Sequence, residues 1–250
     1  MIRVQGAQVS AEVYSSTMSE DIIFRLMCDV VRERRDSKVA GAKFAPVGIA
    51  FEAASDILPR LETIDGPAAL DTVPDGTRPV EASVTTATLG PIRIKFNRTP
   101  PPETHPVAAV FAAETLGIPV ELWSAPDRIR ARTIATEALE ILRAVCARGE
   151  VLYGHLALEA TLPAPAGVME DDWVSRDALF LSNTLVDVDS SFLNKIRHMY
   201  GKDVVEEWET GVFVCGWAPF SAAEFSVANP QLLHEEISRY LANRLRFLRQ

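Results

Sequence analysis

Between Pro126 and Leu162 the spacing of apolar residues changes once, from near four to two. That change dictates a helix followed by a strand, and so a helix laid against a sheet. Asp127 follows Pro126 and is placed to cap the helix. Ile134, Ala138, Ile141, Leu142 and Val145 fall on one side of the cylinder, which must therefore be buried. Arg130, Arg132, Glu137, Glu140, Arg143 and Arg148 lie largely off that stripe. Gly149 suits a left-handed residue just past the helix end. In the strand, Leu152, Gly154, Leu156, Leu158, Ala160 and Leu162 point one way, and Tyr153, His155, Ala157, Glu159 and Thr161 the other. One apolar and one mixed face predict a half-buried strand, ended by Pro163 and Pro165.

At 250 residues and 48% apolar composition the chain can bury a core without a metal or disulfide staple. Cys28, Cys146 and Cys215 are scattered through apolar runs, which predicts buried thiols in a reducing compartment. No run is long enough to span a membrane, and the start, Met1-Ile2-Arg3-Val4, shows no signal peptide, so a cytoplasmic location is expected. A net charge of −9 disfavours nucleic acid as a partner and favours a basic protein, although acidity also serves solubility alone.

Elsewhere the pattern predicts an opening strand at Val9-Ala11-Val13 and a helix capped by Ser19. A strand is expected over Phe44 to Phe51, then a short helix over Ala53 to Leu61. Asp65 to Pro79 reads as a loop, followed by a hairpin of Val80–Thr88 with Ile92-Ile94-Phe96. The solvent face of that hairpin, with Arg93, Lys95 and Asn97, is basic within an acidic whole. Pro106 to Gly117 reads as a helix, and Ile118 to Trp123 and Leu179 to Val188 as strands. A helix over Phe192–Tyr200 stops at Gly201. Asp203 with Glu206 fits a capping box for a short helix carrying Trp208. Thr210 to Trp217 is a strand, and Asn229-Pro230 opens the last helix. The fold class expected is α+β, with a mixed, mostly antiparallel sheet covered by helices. The chain would form two similar halves, 1–98 and 106–250, meeting at the polyproline step near residues 99–105, or one continuous domain.

No motif fixes a reaction. The sharpest catalytic candidate is Asp187-Val188-Asp189 after an apolar run. It resembles the first motif of haloacid-dehalogenase-type phosphatases, which implies Asp187 as nucleophile, Asp189 as acid/base, and magnesium. The plain alternative is a strand end at Asp187 and a helix cap at Asp189. His155 and Glu159 share a strand face, but four residues along a strand span about 13 Å, too far for two ligands of one metal ion. Cys215 has no base beside it in sequence. No glycine-rich phosphate or dinucleotide loop is present, so no cofactor is expected. Trp173 beside Glu170-Asp171-Asp172, and Trp208 among acids, fit anchors of a protein interface.

The run from Tyr153-Gly154-His155-Leu156 through Tyr200-Gly201 to Gly211-Val212-Phe213-Val214, within residues 127–217, resembles immunity proteins of bacterial polymorphic toxins. That resemblance implies a cytoplasmic binder that blocks a toxin, for which an acidic surface would suit a basic toxin domain. The leading expectation is thus a non-catalytic protein-binding module. Its candidate binding residues are Tyr153, His155, Glu159, Glu170, Asp171, Asp172, Trp173 and Trp208. A magnesium-dependent phosphohydrolase is the alternative, and a small-molecule or scaffold domain using the face at Tyr153 is a third.

Overall fold

The computed structural model describes residues 6–47, 61–97, 104–118, 120–170, 173, 177–186, 190–217, 219–220 and 229–249. Ten strands build one sheet: β1 (Gln8–Tyr14), β2 (Lys38–Pro46), β3 (Glu62–Asp65), β4 (Thr77–Thr86), β5 (Gly90–Phe96), β6 (Val107–Ala112), β7 (Tyr153–Leu158), β8 (Ala178–Ser182), β9 (Val205–Trp208) and β10 (Gly211–Cys215). Their order is β3-β2-β4-β5-β6-β1-β7-β8-β10-β9, and every pairing is antiparallel. The fold is α+β. β5 and β6, on either side of residues 99–105, are hydrogen-bonded neighbours, so the sheet runs unbroken through that point.

Alternation along the strands sorts side chains into two layers. On the first face, Val9, Ala11 and Val13 of β1 join Ile92, Ile94 and Phe96 of β5 and Val107, Ala109 and Phe111 of β6 in one core cluster. Two helices cover this face: α1 (Glu20–Arg32) lies over β4, β5 and β6, and α2 (Ala125–Arg148) over β1 and β7. The α2 stripe predicted from sequence is buried, with Ile141, Leu142 and Val145 fully so. On the second face, Leu179, Leu181, Val212 and Val214 meet Leu233, Ile237, Leu241 and Leu245 of the last helix, α6 (Pro230–Leu248). The short α3 (Pro165–Val168) and α4 (Asn183–Val186), with α5 (Ser190–Tyr200), complete that layer. Asn229 caps α6 as expected, its side chain accepting the Leu232 N–H.

Several expectations are corrected. The α2 cap is Ser124, not Asp127: the Ser124 hydroxyl accepts the Asp127 N–H, and the Asp127 carboxylate accepts the Ser124 N–H at 3.0 Å. Gly149 is not left-handed, with φ −112°. Glycine eases the approach of α1 and α2 there: a Cβ would stand 2.7 Å from Leu26 Cδ2 and 3.1 Å from the Val145 carbonyl oxygen, so the Leu26 side chain would have to shift. β7 stops at Leu158 rather than Leu162, and both of its faces are buried, Tyr153 and His155 included. Val107–Ala112 is a strand and not a helix, because β6 is buried on both faces and shows a continuous apolar run that carries no period. The stretch after it is not a strand but 3-10 turns at Glu114–Gly117 and Val120–Leu122. Asp203 and Glu206 do not open a helix; a 3-10 turn at Lys202–Val204 leads straight into β9. The strand expected over Phe44–Phe51 lies earlier, as β2, and the helix expected over Ala53–Leu61 falls mostly outside the described residues.

Away from the sheet centre, Glu20 at the start of α1 accepts the Arg78 guanidinium at 2.8 Å and both the backbone and ring N–H of His105. Burial pushes the Glu20 carboxyl up, but the His105 and Arg78 donors outweigh it and bring it down to about 2.

Candidate functional site: an open cleft over β5, β6 and β1

The second face carries polar residues where α6 does not cover it. β1 places Ser10 and Glu12 there, β6 places Ala108 and Val110, and β5 places Arg93 and Lys95. In register across the strands stand Lys95, Ala108, Glu12 and His155. Ala108 is small, so the floor sinks between Lys95 and Glu12. The result is an open cleft of about 510 Å³, walled by Glu159, Ala160, Thr161 and Trp173. That volume falls within the ordinary range for binding clefts.

Glu12 is only 1% exposed. Its Oε2 accepts the Leu162 N–H and the Asn97 side-chain amide, which ties the chain after β7 and the end of β5 to the sheet centre. Oε1 accepts no hydrogen bond among the described residues, and Glu12 borders the cleft. His155 Nε2 lies 3.3 Å from Glu12 Oε2, yet the two are not aligned for a hydrogen bond, and neither ring nitrogen has a hydrogen-bond partner among the described residues. His155 is sealed on the far side of Glu12 and does not reach the cleft.

Glu159 turns the chain out of β7 at φ +52°, a left-handed conformation that costs a non-glycine residue about 1 kcal/mol. Two bonds to Gln8 hold it: the Glu159 N–H donates to the Gln8 carbonyl at 3.0 Å, and Glu159 Oε1 accepts the Gln8 N–H. Ser10 Oγ donates to the Ala160 carbonyl at 3.0 Å. Lys95 is half-buried at the cleft's edge, and its ammonium makes no hydrogen bond or ion pair among the described residues. Two carboxylates thus face one ammonium.

The structure divides the sequence candidates. Glu159 and Trp173 come together in the cleft. Tyr153 is buried beside it, its ring stacked 5.1 Å from Tyr14 and its hydroxyl donating to the Pro163 carbonyl at 2.9 Å. Burial holds the Tyr153 hydroxyl far above its usual pKa. Glu170 is exposed; Asp171 and Asp172 lie outside the described residues. Trp208 does not stand out in solvent. It is half-buried on the opposite face, stacked 4.9 Å from Phe213 and 5.4 Å from Phe180, with the Arg143 guanidinium 5.0 Å from its ring. Asp187 and Asp189 also lie outside the described residues. The strand leading to them, β8, ends at Ser182, and the helical turn α4 intervenes.

All three cysteines are buried, and burial pushes the Cys215 thiol up to about 12, so it is no thiolate at neutral pH. Among the described residues no cluster of three or more His, Cys, Asp or Glu side chains could hold a metal ion. Also among them, no helix is long and apolar enough to cross a membrane. No family model, curated protein or solved structure matches the chain.

Sequence reading missed Glu12. In Val9-Ser10-Ala11-Glu12-Val13 the polar positions satisfy strand alternation and look solvent-facing. Nothing local announces that β6 and β7 flank β1 and bury it.

Proposed function

We propose that this chain is a non-catalytic protein-binding module and that the cleft over β5, β6 and β1 receives its partner. The observation that carries the reading is the contrast at Glu12. His155, the partner Glu12 would need for proton transfer, is shut inside the sheet and misaligned, whereas the charged cleft that Glu12 borders is open. A wet depression with an aromatic residue in its wall and charges around it is the anatomy of a protein interface, where tryptophan anchors and charge selects. The acidic net charge speeds encounter with a basic partner. The particular form proposed is neutralisation of a toxin in the cytoplasm, on the sequence resemblance over residues 127–217.

The test is capture of a stoichiometric partner from the native lysate at low and high salt. The captured partner is then expressed with and without the chain, and growth is measured. Toxicity suppressed at about one-to-one stoichiometry is expected. No stoichiometric partner at either ionic strength would contradict the binding reading, and a harmless partner would remove the toxin-neutralising form of it.

A further inference from the structure

We infer that the cleft is a seat for one arginine side chain of the partner, with an acidic neighbour of that arginine reaching Lys95. This rests on the binding reading above and specifies its chemistry.

A carboxylate in the middle of a ten-stranded sheet is an expensive residue unless each of its oxygens has a donor. Among the described residues Glu12 has donors for Oε2 only; Oε1 is not one of the buried polar atoms left without a partner, so it is the oxygen open to the cleft. Its donor is supplied from the cleft, by water or by an occupant that displaces that water. A cation is favoured over a neutral donor, because among the described residues lining the cleft two carboxylates, Glu12 and Glu159, outnumber one cation, Lys95.

Guanidinium fits better than ammonium. Its planar fork carries five donors, enough to serve a deep carboxylate and still bond at the mouth, and its faces stack on an aromatic ring such as that of Trp173. Lys95 then determines what accompanies the arginine. Lys95 and Glu12 flank Ala108 in register, so their Cα atoms stand about 10 Å apart, two strand spacings. An occupant that brought only positive charge would be repelled by the unpaired ammonium. One that carries a carboxylate beside its arginine satisfies both ends of the cleft.

The experiment titrates the intact chain with N-acetyl-Arg-Asp amide and follows the Trp173 indole N–H by NMR, assigned with Trp173→Phe. A saturable shift is expected. N-acetyl-norleucyl-Asp amide should give none, and N-acetyl-Arg-Asn amide should bind several-fold more weakly. Glu12→Gln keeps an acceptor oxygen for Leu162 and Asn97 but turns an amide toward the cleft. It should weaken the dipeptide about tenfold or more, as loss of a charge-assisted bond does. Lys95→Gln, at the edge of the cleft, should abolish the preference for Asp over Asn, and it keeps the test decisive if Glu12→Gln misfolds. The seat is overturned by no saturable shift, by unchanged affinity in both variants, or by free L-arginine binding more tightly than the blocked dipeptide, which would mark a metabolite site. A partner captured equally by the wild type and Glu12→Gln would retire the arginine seat and leave the binding reading standing. A saturating dipeptide with no retrievable partner would count against the partner reading alone.

Discussion

The two faces of β1 receive opposite treatment from one seven-residue strand. Val9, Ala11 and Val13 enter a continuous apolar layer under α1 and α2, where side chains leave no polar group to satisfy. Ser10 and Glu12, pointing the other way, are equally buried yet end in a network of hydrogen bonds and an open cleft. The first face is where the chain gains stability. The second is where it gives some up, since a buried carboxylate costs free energy even when half satisfied. On the binding proposal, that cost is borne by the part of the fold that meets a partner.

The contrast can be broken most severely on the apolar face. Leu142→Ala removes a fully buried side chain from α2 and should cost about 4 kcal/mol in a denaturant melt. Val110→Ala, at the cleft, should cost only about 1 kcal/mol, because water already reaches the space it leaves. Equal losses would mean that the two faces are packed alike.

A second asymmetry is in acid. His234 of α6 is 3% exposed with no hydrogen-bond partner for either ring nitrogen among the described residues, and burial brings it from 6.5 down to about 4. Above pH 6.5 it is neutral in both folded and unfolded chains and contributes nothing to pH dependence. As pH falls from 6.5 to about 4, only the unfolded chain takes up the proton, so stability falls by up to about 3 kcal/mol. His234→Phe should flatten the stability profile in that window, as read by urea melts at successive pH values; an unchanged slope would place the proton uptake elsewhere.

Within the cleft, Glu12→Ala strands the Leu162 N–H and the Asn97 amide and should cost about 2 kcal/mol more than Glu12→Gln. Equal losses would show that Glu12 does not hold the segment after β7. The smallest effect is expected at the helix entrance: Ser124→Ala breaks the capping box of α2 and should lower stability by about 1 kcal/mol, with fraying confined to its first turn by hydrogen exchange.

How much was legible in the sequence follows the same division. α1, α2, α6 and the β4–β5 hairpin show plainly because each has one wet side, so its period survives; Gly149 and Asn229 mark two helix ends, while Ser19, expected to cap α1, stands at its start without a side-chain capping bond. β6 was illegible because Val107–Ala112 is dry on both sides and has no period to read. β9 was masked by an Asp-to-Glu spacing that imitates a helix start. The cleft was half legible. Glu159 and Trp173 stand out beside prolines and acids, but Glu12, Lys95 and Asn97 become neighbours only because β6 pairs with both β1 and β5, which brings Asn97 to Glu12 across 85 residues of chain.

The native thiols are all buried, so a cysteine introduced at the surface can be labelled alone. Thr161→Cys places the label in the cleft wall, and Ile129→Cys places it on exposed α2 of the other face. The decisive measurement is partner capture by each protein after labelling with a bulky maleimide. Capture should be lost with the label at 161 and kept with the label at 129. Full capture by the protein labelled at 161 would contradict the assignment of the cleft as the place where the partner docks.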